Sequence, residues 1–125
     1  MIMFPFRVGK AFLESTNHPI TIPRKYNPEL LSEIYMGPGE KALPVSIIPP
    51  KGRTLNGEIY FGVSSYGPYY QIKIMGAYPG WYLDNLSIGD VILVAIAKAG
   101  DKVNVNLVTP DEIRKMSDKL LSSEE

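Results

Sequence analysis

Turn-forming residues divide this 125-residue chain into segments too short for a helical bundle, since eleven glycines and eleven prolines punctuate it. What lies between the punctuation mostly alternates. From Glu58 to Val63, residues Ile59, Phe61 and Val63 fall on one face and Glu58 and Tyr60 on the other. From Tyr69 to Met75, Tyr70, Ile72 and Ile74 oppose Gln71 and Lys73, and Ser64-Ser65-Tyr66-Gly67-Pro68 joins the two segments as a hairpin tip. Val103, Val105 and Leu107 alternate with Asn104 and Asn106. Leu43 to Ile48 alternates as well, and Val91 to Ala97 is a continuous apolar run whose β-branched content favours a strand. Phe4 to Phe12 reads as the first strand and Ile20-Thr21-Ile22 as a short second one. Several short strands with frequent turn signals indicate a barrel or sandwich.

Helical signals are brief. Asn27 suits a cap, Pro28 the first helical position, and Leu30, Leu31 and Ile34 an apolar stripe that Gly37-Pro38-Gly39 ends. A short turn-helix follows Trp81, the only tryptophan, before Leu86-Ser87-Ile88-Gly89-Asp90 turns into the apolar run. Trp81 reads as a core plug and Asp90 as a residue that fixes its own turn. Thr109-Pro110-Asp111-Glu112 opens a C-terminal helix carrying Ile113, Met116 and Leu120, and a polar tail ends at Glu125. The expected organisation is one β domain over residues 1–109, with residues 110–125 leading to a further domain.

The chain has no cysteine, so no disulfide framework and no thiolate chemistry. The apolar start Met1 to Phe6 is too short for a signal peptide, and no run approaches the ~20 residues of a membrane span. A cytoplasmic, membrane-free setting is the expectation. Thirteen basic and thirteen acidic residues give zero net charge, which argues against coating nucleic acid by bulk electrostatics. Catalytic look-alikes fail on spacing. Gly37-Pro38-Gly39-Glu40-Lys41-Ala42 lacks the phosphate-loop spacing and its Ser/Thr. Pro110-Asp111-Glu112-Ile113-Arg114-Lys115 places on one helix the acidic residues and lysine that a metal-dependent nuclease spreads over neighbouring strands. His18 has no helical partner for a metal. No catalysis, metal or cofactor is expected.

Three segments in order carry a resemblance: Ile20-Thr21-Ile22-Pro23-Arg24-Lys25 before a short helix, the long hairpin of residues 57–74, and Gly80-Trp81 followed by Leu86, Gly89, Asp90 and Ile92. Together they resemble the DNA-binding pseudobarrel family of plant B3 domains and restriction-endonuclease specificity domains, over roughly residues 6–108. The resemblance implies a mainly β, seven-stranded open pseudobarrel with two short helical segments and a C-terminal helix. It also implies two arms that grip the major groove of double-stranded DNA. Carried over by position, the first arm is Ser15, Thr16, Asn17 and His18, with Arg24 and Lys25 nearby. The second runs through Ser64, Ser65, Tyr66, Gly67, Pro68, Tyr69, Tyr70 and Gln71.

These residue types suit the task. Asn17 and Gln71 can pair with adenine edges and Arg24 with guanine. Thr16, Ser64 and Ser65 can reach bases or phosphates. Lys25, Lys51, Arg53 and Lys73, with Arg24, can neutralise phosphates, and Tyr66 and Tyr69 can pack on sugars. The expected function is a recognition module of a restriction-type enzyme, with an attached nuclease or NTPase domain. The alternatives are a PUA-like RNA-binding barrel and a protein-interaction barrel with the tyrosine hairpin as its contact patch.

Overall fold

The computed structural model describes residues 1–34, 42–49, 53–75 and 86–109, and residues 111, 112, 114, 115, 118 and 119 of the C-terminal segment. Trp81 and the turn-helix after it, the Gly37-Pro38-Gly39 stop, Lys51, Pro110, Ile113, Met116, Leu120 and the terminal tail lie outside the described residues. Seven strands form one sheet: β1 (Ile2–Arg7), β2 (Ile20–Thr21), β3 (Ala42–Ile48), β4 (Leu55–Ser64), β5 (Gly67–Ile74), β6 (Val91–Ala99) and β7 (Lys102–Val108). Their order is β1-β6-β7-β3-β4-β5-β2. Every pairing is antiparallel except β3 with β7, where Ser46, Ile47 and Ile48 lie beside Asn104, Val105 and Asn106. This parallel contact joins two antiparallel halves into a nearly closed barrel.

The inward residues of the alternating segments form the core. Ile59, Tyr70, Ile72 and Ile74 are buried, as are Val103, Val105 and Leu107, together with Ile92, Val94 and Ile96 of the apolar run. Burial of this many aliphatic side chains, at about 1.5–3 kcal/mol each, is the main favourable contribution to folding. Val63 departs from its expected face and is 74% exposed, because the β4–β5 hairpin overhangs the barrel there.

Phe4 to Phe12 is not one strand. The ladder ends where β6 begins: the Val8 N–H donates to the Asp90 carbonyl at 2.7 Å and the Val8 carbonyl accepts from Gly89 at 2.8 Å. The chain then turns into helix α1 (Lys10–Glu14), which buries Phe12. Val8 and Phe12 are four apart, a spacing that shares one face in a strand as well as in a helix, so alternation does not mark the change of element. Ser87 N–H donates to the Asp90 carboxylate at 2.9 Å, so Asp90 does fix its turn.

The sheet's two edges, β1 and β2, both come from the first 21 residues. Side chains fill the seam between them. Phe12 packs edge-on against Phe6 at 5.2 Å, Tyr26 lies 6.0 Å from Phe4, and the Tyr26 hydroxyl donates to the Met3 carbonyl at 3.0 Å. After β2 the chain passes through a 3-10 turn (Arg24–Tyr26), a single α-turn, α2 (Asn27–Glu29), and a π-helical turn (Leu30–Ile34). Asn27 is itself helical rather than a cap, and its Nδ2 donates to the Pro68 carbonyl at 3.4 Å. Leu30 is buried but Leu31 is 52% exposed, so the expected stripe is narrower than its sequence. The described residues of the C-terminal segment are helical, with an exposed Asp111–Arg114 ion pair at 3.3 Å. Among the described residues no helix is long and apolar enough to cross a membrane.

Two positions yield predictions. A Cβ on Gly57 would lie 2.7 Å from Ile47 Cγ1 and 2.8 Å from the Lys73 carbonyl oxygen. The backbone atom cannot yield, so Gly57→Ala should lower the urea unfolding free energy by about 1–3 kcal/mol. Tyr70 is buried, and burial pushes its phenol pKa above the ordinary value of about 10. The folded state therefore holds this proton more tightly than the unfolded chain does. The resulting stability is fully present below a pH of about 10 and is lost as pH rises through the folded-state value. Tyr70→Phe should flatten that alkaline decline in denaturant midpoints measured across the same range, and an unchanged profile would refute the assignment.

Candidate functional site

The long β4–β5 hairpin carries most of the expected site. Register sorts its residues: Glu58 lies opposite Lys73, Tyr60 opposite Gln71, Gly62 opposite Tyr69, and Ser64 opposite Gly67 on the outer face. Tyr70 opposes Phe61 on the inner side, its ring 5.2 Å away. Tyr70 is thus a core residue rather than part of a contacting arm.

At the tip only Ser65 and Tyr66 separate the paired strands. Neither has a positive φ, and Gly67 supplies one instead, at 109°. A glycine following such a turn lets the right-handed strand twist resume without a Cβ penalty. Ser64 organises the turn. Its Oγ accepts from the Tyr66 N–H at 3.2 Å and donates to the Gly67 carbonyl at 3.3 Å. Tyr66 itself is 84% exposed, the most exposed large aromatic among the described residues.

Arg24 comes to this tip from 40 residues away in the chain. Its Nη2 donates to Ser64 Oγ at 3.3 Å and its Nη1 donates to the Tyr66 carbonyl. Lys25 next to it is exposed, with its ammonium 5.2 Å from the Tyr26 ring centroid. Further along the outer face, Gln71 Nε2 donates to Thr21 Oγ1 at 3.2 Å, which binds the edge strand β2 to β5. Lys73 sits 4.0 Å above the Tyr60 ring, and Tyr60 lies 6.2 Å from Tyr69. Lys73 is therefore partly occupied by a cation–π contact worth about 0.5–1 kcal/mol at an exposed site. Tyr69 lies over Gly62 rather than projecting at the tip.

The first arm stands elsewhere. The Asn17 carbonyl accepts from the Ile74 N–H at 2.9 Å, so residues 15–18 lie beside the end of β5 that is remote from the tip. Seven strand steps at 3.3 Å place roughly 23 Å between the two. Thr16 is exposed, and Ser15 and Asn17 are half-buried. His18 is buried, 2% exposed, with a φ of 40°. Its Nδ1 lies 2.7 Å from the Phe12 carbonyl, so that nitrogen carries the proton and donates. The ring packs edge-on to Phe12 at 5.7 Å. His18 thus anchors the arm and does not face a groove. Arg53 is exposed just before β4, at the same end as this arm. Lys51 lies outside the described residues.

The structure therefore gathers Arg24, Lys25, Ser64, Ser65 and Tyr66 at one end of β5, and Ser15, Thr16, Asn17 and Arg53 at the other. Gln71, Lys73 and Tyr69 lie between. Sequence reasoning missed Tyr60, Thr21 and Asn27. Tyr60 and Thr21 were visible as outward positions of their strands, but the partners they take depend on pairing between distant segments.

These strands define a seven-stranded, nearly closed pseudobarrel. In comparison with solved structures, the chain is similar to the Arabidopsis FUS3–DNA complex, with a TM-score of 0.56 and 12% identity over 85% of this chain and 95% of that one. No family model matches the sequence. No curated protein matches it either.

The packing on the outer face can be tested directly. A Cβ on Gly62 would lie 2.4 Å from Tyr69 Cζ. Here the obstacle is the far end of a side chain, which can rotate. Gly62→Ala should swing Tyr69 off the sheet and shift the Tyr60 and Lys73 side-chain NMR resonances. Its stability loss should be below that of Gly57→Ala.

Proposed function

We propose that this chain is a sequence-specific double-stranded DNA-binding domain without catalysis of its own, serving as the recognition module of a restriction-type endonuclease. The observation that carries the reading is the pair of polar ends on β5 in a fold shared with a protein solved on DNA. One end presents Ser65 and Tyr66 on a hydrogen-bonded tip beside Lys25; the other presents Thr16 and Asn17 beside Arg53. A separation of roughly 23 Å exceeds the ~12 Å width of a major groove, so the two ends meet successive stretches of one duplex. Lys25 and Arg53 are the exposed cations for phosphates, and Tyr66, Gln71 and Asn17 supply contacts that discriminate bases.

Binding of duplex DNA, single strands and structured RNA across a salt series tests this reading. Duplex should be preferred, and a selection from a random duplex library should return a defined site. Equal binding to all three, or a preference for RNA, would favour the RNA-binding barrel. No duplex binding at low salt would sink the proposal. Lys25→Ala should weaken binding to every duplex and reduce the salt slope by about 0.9. Tyr66→Ala and Gln71→Ala should instead lower the preference for the selected site by roughly 5–150-fold, the range of about 1–3 kcal/mol per lost base contact. Uniform loss on all sequences from these two would refute their base-reading role.

A further inference from the structure

We propose that Arg24 is a positioning residue that clamps the β4–β5 tip onto the end of β2 and fixes how Ser65 and Tyr66 are presented. The last clause rests on the DNA-binding reading; the clamp itself does not.

Among the described residues the tip has little else to hold it. Val63 and Tyr66 are 74% and 84% exposed, so the overhang gains no support from the core. An isolated hairpin is marginal in water. Its own bonds radiate from Ser64 Oγ, and among the described residues the outside support besides Arg24 is the long Asn27–Pro68 contact at 3.4 Å. Arg24 donates to both sides of the turn, to Ser64 Oγ and to the Tyr66 carbonyl. Its Nη1 would also lie 3.8 Å from a Cβ at position 67, so the guanidinium rests against the turn's glycine. A planar fork with two terminal nitrogens can hold two acceptors at once, and a single ammonium on a flexible stem holds them less rigidly.

This occupation also changes the expected chemistry of Arg24. Bidentate reading of guanine uses the fork of terminal nitrogens. Here both are turned to the protein. The residue that sequence types mark as a base or phosphate contact acts through the tip instead.

Nitrogen-15 relaxation on the free protein and duplex binding by the same variants test the proposal. In the wild type, the order parameters of Ser65, Tyr66 and Gly67 should be close to the rigid value of about 0.85. In Arg24→Ala and Arg24→Lys they should fall below about 0.6. Arg24→Lys keeps the charge, so its salt slope on DNA should be unchanged while preference for the selected duplex drops about tenfold, as for one lost discriminating contact. Unchanged order parameters in Arg24→Ala would overturn the clamp. So would an Arg24→Lys protein that retains full preference while Arg24→Ala loses about 0.9 from the salt slope, the signature of a phosphate contact. If no duplex binds, the relaxation data still decide the clamp, and the DNA-binding reading alone falls.

Discussion

Closing the barrel depends on one constraint: both edges of the seven-stranded sheet are supplied by the first 21 residues. The chain must travel from β1, on one edge, to β2, on the other, within a single short connection. It does so by way of α1, whose Phe12 fills the gap that backbone pairing leaves open. Tyr26 then reaches back to the Met3 carbonyl and satisfies a group on an edge that would otherwise be open. The buried His18 secures the same connection to the Phe12 carbonyl at 2.7 Å, in a backbone conformation few residues adopt. A polar residue buried here is therefore part of the closure.

From that closure follows the placement of everything on the outer face. β2 is only two residues long, so pairing alone fixes it weakly. The Gln71–Thr21 bond and the Ile22 N–H to Tyr70 carbonyl bond at 2.9 Å extend its hold on β5. Because β2 runs antiparallel to β5, its entry lies at the far end of β5 and its exit at the tip. The loop before β2 and the residues after it are thus delivered to opposite ends of one strand, although they are neighbours in sequence. Arg24 meets the tip for this reason, and Asn17 cannot.

How much of this was legible in the sequence follows from range. The alternation of Ile72 and Ile74 against Gln71 and Lys73 is local, and it predicted which side chains are buried. The turn at Asp90 is also local, and its carboxylate bonds Ser87 as the residue types imply. Helix α1 was misread because Phe4, Phe6, Val8 and Phe12 all fit one face of a strand, and a step of four is common to strand and helix. Asn27 carries the right chemistry for a cap, yet the preceding 3-10 turn had already begun the helix, leaving its amide for Pro68. His18 was carried into the first arm because nothing in its neighbours announces that Phe12 would fold beneath it. The partner of Arg24 lies 40 residues away and exists only after β2 and β5 pair. A sequence displays donors, while their acceptors are chosen by topology.

The charge pattern gives the last step. A chain with zero net charge has little long-range field to gather it onto a polyanion. If Arg24 is committed to the tip and Lys73 lies close on Tyr60, the exposed cations beside the two ends reduce among the described residues to Arg53 and Lys25, the latter more loosely placed 5.2 Å from the Tyr26 ring centroid. Two phosphate contacts would give a salt slope of only about −1.8, well short of the six to ten contacts of strongly basic DNA-binding proteins. On the proposed DNA-binding reading, non-specific affinity is then small, and discrimination would come from hydrogen bonds and packing made by side chains already held in place. For such a surface an ordered tip matters more than an additional charge, because each residue that must be ordered on binding costs about 1–2 kcal/mol of backbone entropy. On that reading, an arginine that holds the Ser64 hydroxyl and the Tyr66 carbonyl would contribute more to specificity than the same arginine set loose on a phosphate.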